Sequence, residues 1–109
     1  MRKIPKDIAD KYPRKFKFRY KKRIIAEGKV GKEDVVLPIY QKFKDREFWK
    51  GVELLHFEKG NSKGEKEFRF MYWTKKRPNI KPVWGQFNVC IPKSEFKKLT
   101  KEMKEKGWI

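Results

Sequence analysis

Between Lys15 and Lys21 the chain alternates cation and aromatic ring without a break. Phe16, Phe18 and Tyr20 fall on one side, Lys15, Lys17, Arg19 and Lys21 on the other. Period two marks a strand with one buried face, so this stretch needs a sheet and a core to cover its rings. The strand is expected near residues 15–24. The composition repeats the same demand. Of 109 residues, 31 are Lys or Arg and 14 are Asp or Glu, a formal charge of +17. A chain with 41% charged residues stays unfolded when aromatics are scarce. Here 9 Phe, 4 Tyr and 4 Trp supply the material for a small core. The length fits one domain over residues 1–109. Residues 1–13 read as a basic arm holding a short helical turn, with Pro5 in its first turn and Pro13 at its end.

Three further strands are expected over 52–58, 67–74 and 83–91. Gly60, Asn61, Ser62 and Gly64 form a hairpin loop between the first two. Asp34 is placed to cap a helix over about 34–47, with Val36, Ile39, Tyr40 and Phe43 on its inner side. Pro38 fits that helix only in its first turn. A final helix is expected near 94–106. Ser94 stands as its N-cap, Glu95 in its first turn, and Phe96, Leu99 and Met103 as a narrow apolar stripe. Glu102 and Lys106 make a favourable i, i+4 pair, and Gly107 suits a left-handed stop. The fold class is α+β: an antiparallel sheet of about four strands with helices packed on one face.

The charge is unevenly placed. Residues 1–30 carry 12 basic and 3 acidic side chains, whereas residues 31–60 carry 6 of each. Residues 61–92 carry 7 basic and 2 acidic. Such an excess attracts polyanions, of which nucleic acid is the commonest, because phosphate neutralisation releases counterions. A Lys-rich, Gln-poor, Cys-poor composition also suits a thermophile, although a thermophile surface balances its signs and this one does not. No apolar run approaches the roughly 18 residues of a membrane span, and the N-terminus has no apolar signal core. Cys90 has no second cysteine to bond, and Cys90 with His56 is too small a set for a Cys/His zinc site. These features lead to the expectation of a cytoplasmic domain with no metal, no cofactor and no membrane partner.

Enzyme signatures are absent: no GK[ST] phosphate loop, no GxSxG, no HExxH. The expectation is a protein that is not an enzyme. Glu53, Glu58, Glu65 and Glu67 flank a hairpin and form the material for an alternative, a metal-dependent nuclease. His56 lacks a paired acid and reads as an ordinary strand residue. Gly85, inside a strand, points to a bulge or a close backbone approach by a ligand.

Sorting the strands by alternation suggests a site. Phe68, Phe70 and Tyr72 share one side with Val83, Gly85, Phe87, Val89 and Ile91, the more apolar set and so the expected core face. The second face then carries Arg69, Met71, Trp73, Trp84, Gln86 and Asn88, with Lys75, Lys76, Arg77 and Lys81 at its rim. Unpaired bases stack on aromatic rings and their phosphates need nearby cations, so this set suits single strands better than duplexes. Trp73 and Trp84 are the expected stacking residues, Arg69, Lys75, Lys76, Arg77 and Lys81 the phosphate contacts, Gln86 an edge contact, and Lys15, Lys17 and Arg19 an extension of the track. The competing reading places both tryptophans in the core.

Strands leading into the Pro92, Ser94, Glu95, Phe96 helix start resemble, over roughly residues 50–106, the single-stranded-DNA-binding modules of the positive-cofactor type of coactivator. In character the chain also resembles the thermophilic archaeal ThermoDBP family. The resemblance implies sequence-tolerant single-strand binding by a sheet face, often in a homodimer. The helix expected over 34–47 departs from the coactivator pattern. The function expected from residues and resemblance together is single-stranded DNA binding, with RNA binding next. A protein-interaction domain docking through Phe48 and Trp49 is a further alternative.

Overall fold

The computed structural model describes residues 4–76, 79–85, 89–107 and 109. A one-turn helix α1 (Lys6–Ala9) leads into β1 (Arg14–Tyr20), β2 (Arg23–Val30), β3 (Val35–Phe43) and β4 (Arg46–Gly60). There follow β5 (Lys66–Lys76), β6 (Asn79–Trp84), β7 (Val89–Pro92) and a closing helix α2 (Lys93–Glu105). The class is α+β, and the seven strands form one antiparallel, curled sheet with both helices packed against it.

The spine is the β4–β5 hairpin, in continuous register from Arg46 opposite Lys76 to His56 opposite Lys66. Each spine strand is long enough to hold two shorter ones. β3 pairs β4 over residues 46–53, and β2 pairs it over 56–60. Likewise β7 pairs β5 over 67–70, and β6 over 73–76. β1 adds outside β2. The register shifts within β1–β2, β2–β4, β3–β4 and β5–β6, and such irregularities bend strands and deepen their twist.

The expected helix over 34–47 does not form. Those residues are β3 and the start of β4. The cause is a bulge: Val36 opposes Val52 and Ile39 opposes Lys50, so Leu37 and Pro38 together face Gly51. One extra residue shifts the alternation by one, which turns a strand's spacing of apolar residues into a helix-like i, i+3, i+4. Pro38, which has no N–H to donate, sits in that bulge. A Cβ on Gly51 would lie 1.8 Å from the Val36 carbonyl oxygen, so only glycine lets β3 pass this close. Asp34 caps no helix; its carboxylate accepts from the Gly31 N–H at 2.9 Å and lies 3.1 Å from His56 Nε2. The expected strand over 83–91 is two, β6 and β7. α2 starts one residue before Ser94: its N-cap is Pro92, with no side-chain cap bond, and Gly107 (φ +76) makes the expected left-handed exit.

The sheet has two unlike faces. One, the closed face, carries Trp49, Glu53, Leu55 and Phe57 of β4 with Arg69, Met71 and Trp73 of β5, all buried. Ile8 of α1, Tyr12 before β1, Phe16 of β1, Ala26 and Val30 of β2, and Val35 and Leu37 of β3 join that core. The other, the open face, carries Phe48, Lys50 and Val52 of β4 with Phe70 and Tyr72 of β5. α2 covers only part of it, through Phe96, whose ring centroid is 4.9 Å from that of Phe68 and 5.8 Å from that of Phe70.

Candidate nucleic-acid interface

Strand register dictates which open-face side chains are neighbours across β3, β4 and β5. Reading across, Val36, Val52 and Phe70 form one row, and Ile39, Lys50 and Tyr72 the next. Gln41, Phe48 and Thr74 follow, and Phe43, Arg46 and Lys76 end the series. Rings and cations are therefore interleaved along the spine. The Phe48 and Tyr72 rings meet edge to face at 5.8 Å, and Lys50 Nζ lies 5.7 Å from the Phe48 ring. Tyr72 lies against the backbone of Gly85: a Cβ there would be 2.5 Å from the ring, so the close approach expected at this glycine is to a side chain of the chain itself. Phe48, Lys50, Val52, Phe70 and Tyr72 line an open groove of about 580 Å³, with Val36, Pro38 and Ile39 as its far wall; Phe43, Arg46 and Lys76 lie beyond its lining. Val36 is 50% exposed, Ile39 51% and Phe43 67%. The hairpin loop after Phe43 puts Lys44 at φ +55, with its ammonium 5.5 Å from the Phe43 ring.

On the closed face the same residue types are used up. Glu53 is fully buried and Arg69 donates to its Oε1 from both Nε (3.1 Å) and Nη2 (2.8 Å). The Tyr12 hydroxyl donates to Oε2, and Arg14 Nη1 approaches the same oxygen at 3.8 Å. Trp73 Nε1 in turn donates to the Tyr12 hydroxyl at 3.1 Å. Burial, then the bond to Glu53, pushes the Tyr12 hydroxyl well above the ordinary tyrosine range. The Arg14 guanidinium covers the Trp84 ring at 3.9 Å, and that of Arg69 stands 4.9 Å from the same ring.

Much of the expected site is placed in the core or is already engaged within the chain. Trp73 is 5% exposed and tied to Tyr12, so no face of its ring is open to a base. Trp84 is half-buried with a guanidinium already on it. Arg69, 6% exposed, is spent on Glu53. Lys75 is paired with Asp7 and packed 5.2 Å from the Trp49 ring. The face expected as core from its apolar count is the open one. The reason is the Glu53–Arg69 pairing across β4 and β5, which lets a charged row be buried. Lys76 keeps a place at the end of the open face, and Lys81 is exposed on β6. Lys15, Lys17 and Arg19 are exposed along β1, away from the groove. Arg77 and Gln86 lie outside the described residues.

Sequence reasoning does not mark Phe43, Arg46, Lys50 and Tyr72 as site residues, and marks Phe48 only as a protein-docking residue together with Trp49, which is buried. Little in the sequence signals them: in Arg46, Glu47, Phe48, Trp49, Lys50 each side of a strand mixes charge and ring, unlike the clean alternation of 15–21. Among the described residues no group of three or more His, Cys, Asp or Glu stands close enough to hold a metal ion, and Glu53 has both oxygens engaged. His56 is half-buried on its strand as expected, but it does not lack an acid: its Nε2 lies 3.1 Å from Asp34 Oδ2. Burial raises the Cys90 thiol above its ordinary range against the counter-effect of Arg69, in keeping with a small packed residue. Among the described residues no helix is long and apolar enough to cross a membrane.

Compared with known proteins, the chain matches no family model, no curated protein and no solved structure. The resemblances noted from the sequence thus find no family-level counterpart. What stands is a curled sheet with exposed aromatics and flanking basic residues, a geometry compatible with nucleic-acid binding.

Proposed function

We propose that the chain binds nucleic acid, single strands in preference to duplex, along the open face of β3, β4 and β5. Bases stack on Phe48, Tyr72 and Phe43, and phosphates meet Lys50, Arg46, Lys76 and Lys44. The observation that carries this reading is the interleaving of ring and cation in successive cross-strand rows. A base offers a π-face only when unpaired, and each stack on an aromatic contributes roughly 1–3 kcal/mol. A net charge of +17 adds a sequence-independent attraction. Gln41, exposed beside Phe48, can both donate to and accept from a base edge. No catalytic role is proposed. Single-stranded DNA is the probe of choice, with RNA second.

The exposed Val36 and Ile39 favour a second reading, in which the groove takes an apolar segment of an acidic protein. One titration separates the two. Fluorescently labelled oligo-dT is expected to bind the wild-type protein. Phe48→Ala with Tyr72→Ala should then weaken that binding by more than about tenfold, since two stacks are lost. Unchanged dT affinity in the folded double variant refutes the stacking role and leaves the second reading.

A further inference from the structure

The β1–β2 ribbon takes no part in the open face, yet it holds the densest run of like charge in the chain. Residues 11–26 contain 8 basic side chains and no acidic one. Lys15, Lys17 and Arg19 occupy every second position on the exposed side of β1, hence about 6.6 Å apart along an extended strand. The nearby acids are engaged: Glu27, across from Lys17, lies 3.8 Å from Lys59, and Glu58 of β4 lies 3.8 Å from Lys29. Lys15, Lys17, Arg19, Lys22 and Arg23 form no ion pair among the described residues.

The end of the ribbon is strained. Tyr20 pairs with Arg23, which leaves a two-residue loop, and both of its residues are left-handed: Lys21 at φ +47 and Lys22 at φ +69. A hairpin loop with two positive φ values favours Asn–Gly, because a Cβ crowds its own backbone there. Two lysines are the less stable choice, and strain of this kind persists where a side chain is needed. Tyr20 beside them is 62% exposed, with Lys21 Nζ 5.5 Å from its ring.

We infer that the β1–β2 ribbon is a second nucleic-acid contact that acts by charge. It grips the sugar–phosphate backbone of single strand or duplex alike, and its strained Lys21–Lys22 loop exists to place two cations at the tip. Apart from Tyr20 the ribbon shows no open ring, so it does not distinguish paired from unpaired bases. Duplex binding therefore belongs to the ribbon. The inference shares with the reading above only the class of partner and does not depend on the open face.

The test is Lys21→Asn with Lys22→Gly, compared with wild type for thermal midpoint and for affinity to labelled 20-base dT and a 20-base-pair duplex at two salt concentrations. The loop change relieves the backbone and removes two charges. The expected result is a midpoint higher by a few degrees together with a duplex affinity at least fivefold lower, and a salt dependence shallower by up to about 1.8 in log–log slope. Lys15→Ala, Lys17→Ala and Arg19→Ala combined should weaken both probes further. A more stable variant with unchanged duplex affinity overturns the inference, and so does a midpoint that does not rise. Failure of wild type to bind duplex at low salt also overturns it while leaving the open-face reading intact. Conversely, ribbon variants that weaken both probes, beside a Phe48→Ala, Tyr72→Ala variant that weakens neither, uphold the ribbon and refute the platform. Ile24 and Ile25 are exposed near the tip, so anionic vesicles form the last arm. Vesicle binding that outcompetes oligonucleotide at the ribbon counts against the inference.

Discussion

The two faces of the β4–β5 hairpin are built from the same residue classes and do opposite work. On the closed face each cation has a carboxylate: Arg69 and Arg14 share Glu53, and Lys75 has Asp7. The rings there interlock, Trp73 against Tyr12 at 6.4 Å and against Trp84 at 5.1 Å. On the open face Arg46, Lys50 and Lys76 have no carboxylate partner among the described residues, and Val36, Ile39 and Phe43 face solvent. A cation desolvated beside its counter-ion specifies the fold; one held among exposed rings is available to a ligand. Residue type does not separate the two roles. Cover does.

That contrast can be broken at either face. The largest effect belongs to Glu53→Ala, which strands Arg69 and Arg14 without their counter-charge; a loss of about 3–5 kcal/mol in urea unfolding is expected. A loss below about 1 kcal/mol, the range of an exposed pair, contradicts the assigned structural role. Next comes Phe48→Ala with Tyr72→Ala, expected to remove about 1–3 kcal/mol of dT binding per ring. Its cost in stability should be smaller than that of Glu53→Ala.

Tyr12→Phe is expected to lose about 1–3 kcal/mol at neutral pH, since Glu53 and Trp73 Nε1 each lose a bonding partner. It also changes the pH profile. The Tyr12 hydroxyl is raised in the folded state, so its contribution is complete below the unfolded tyrosine value of about 10 and declines as pH rises past it. Wild type should therefore lose stability above about pH 10 more steeply than Tyr12→Phe, as equilibrium unfolding at about pH 8 to 11 will show. Parallel profiles contradict a tyrosine buried in this way. The smallest effect is that of Arg46→Ala with Lys76→Ala. Stability should hardly move, while the salt slope of dT binding falls by up to about 1.4, two single-strand phosphate contacts.

Period-two alternation is strong evidence because it is local. The 15–20 alternation, the 67–74 strand and the Gly107 helix stop are all visible in a few consecutive residues and all recur in the structure, although the strand expected over 15–24 ends at Tyr20, turns at Lys21–Lys22 and returns as β2. Two features that the sequence hides are not local. The Leu37–Pro38 bulge shifts the phase of β3 and makes it resemble a helix. Its cause, the close passage of Gly51, lies 13 to 14 residues away in another strand. The other is the identity of the inner face. Phe68, Phe70 and Tyr72 outweigh Arg69, Met71 and Trp73 in apolar character, and only the register that sets Glu53 opposite Arg69 turns the charged row inward. Tyr12 reaches Glu53 from 41 residues away, a contact no spacing announces. The expected chemistry of rings with flanking cations is present in the molecule, but on the other side of the sheet.

The open face, and not the tryptophan face, is the one proposed to meet the polynucleotide. Ultraviolet cross-linking of the wild-type protein to oligo-dT, with the attached residues mapped by mass spectrometry, tests this assignment directly. Adducts on Phe48, Tyr72 or Phe43 are the predicted result; adducts confined to Trp73 and Trp84 would contradict it.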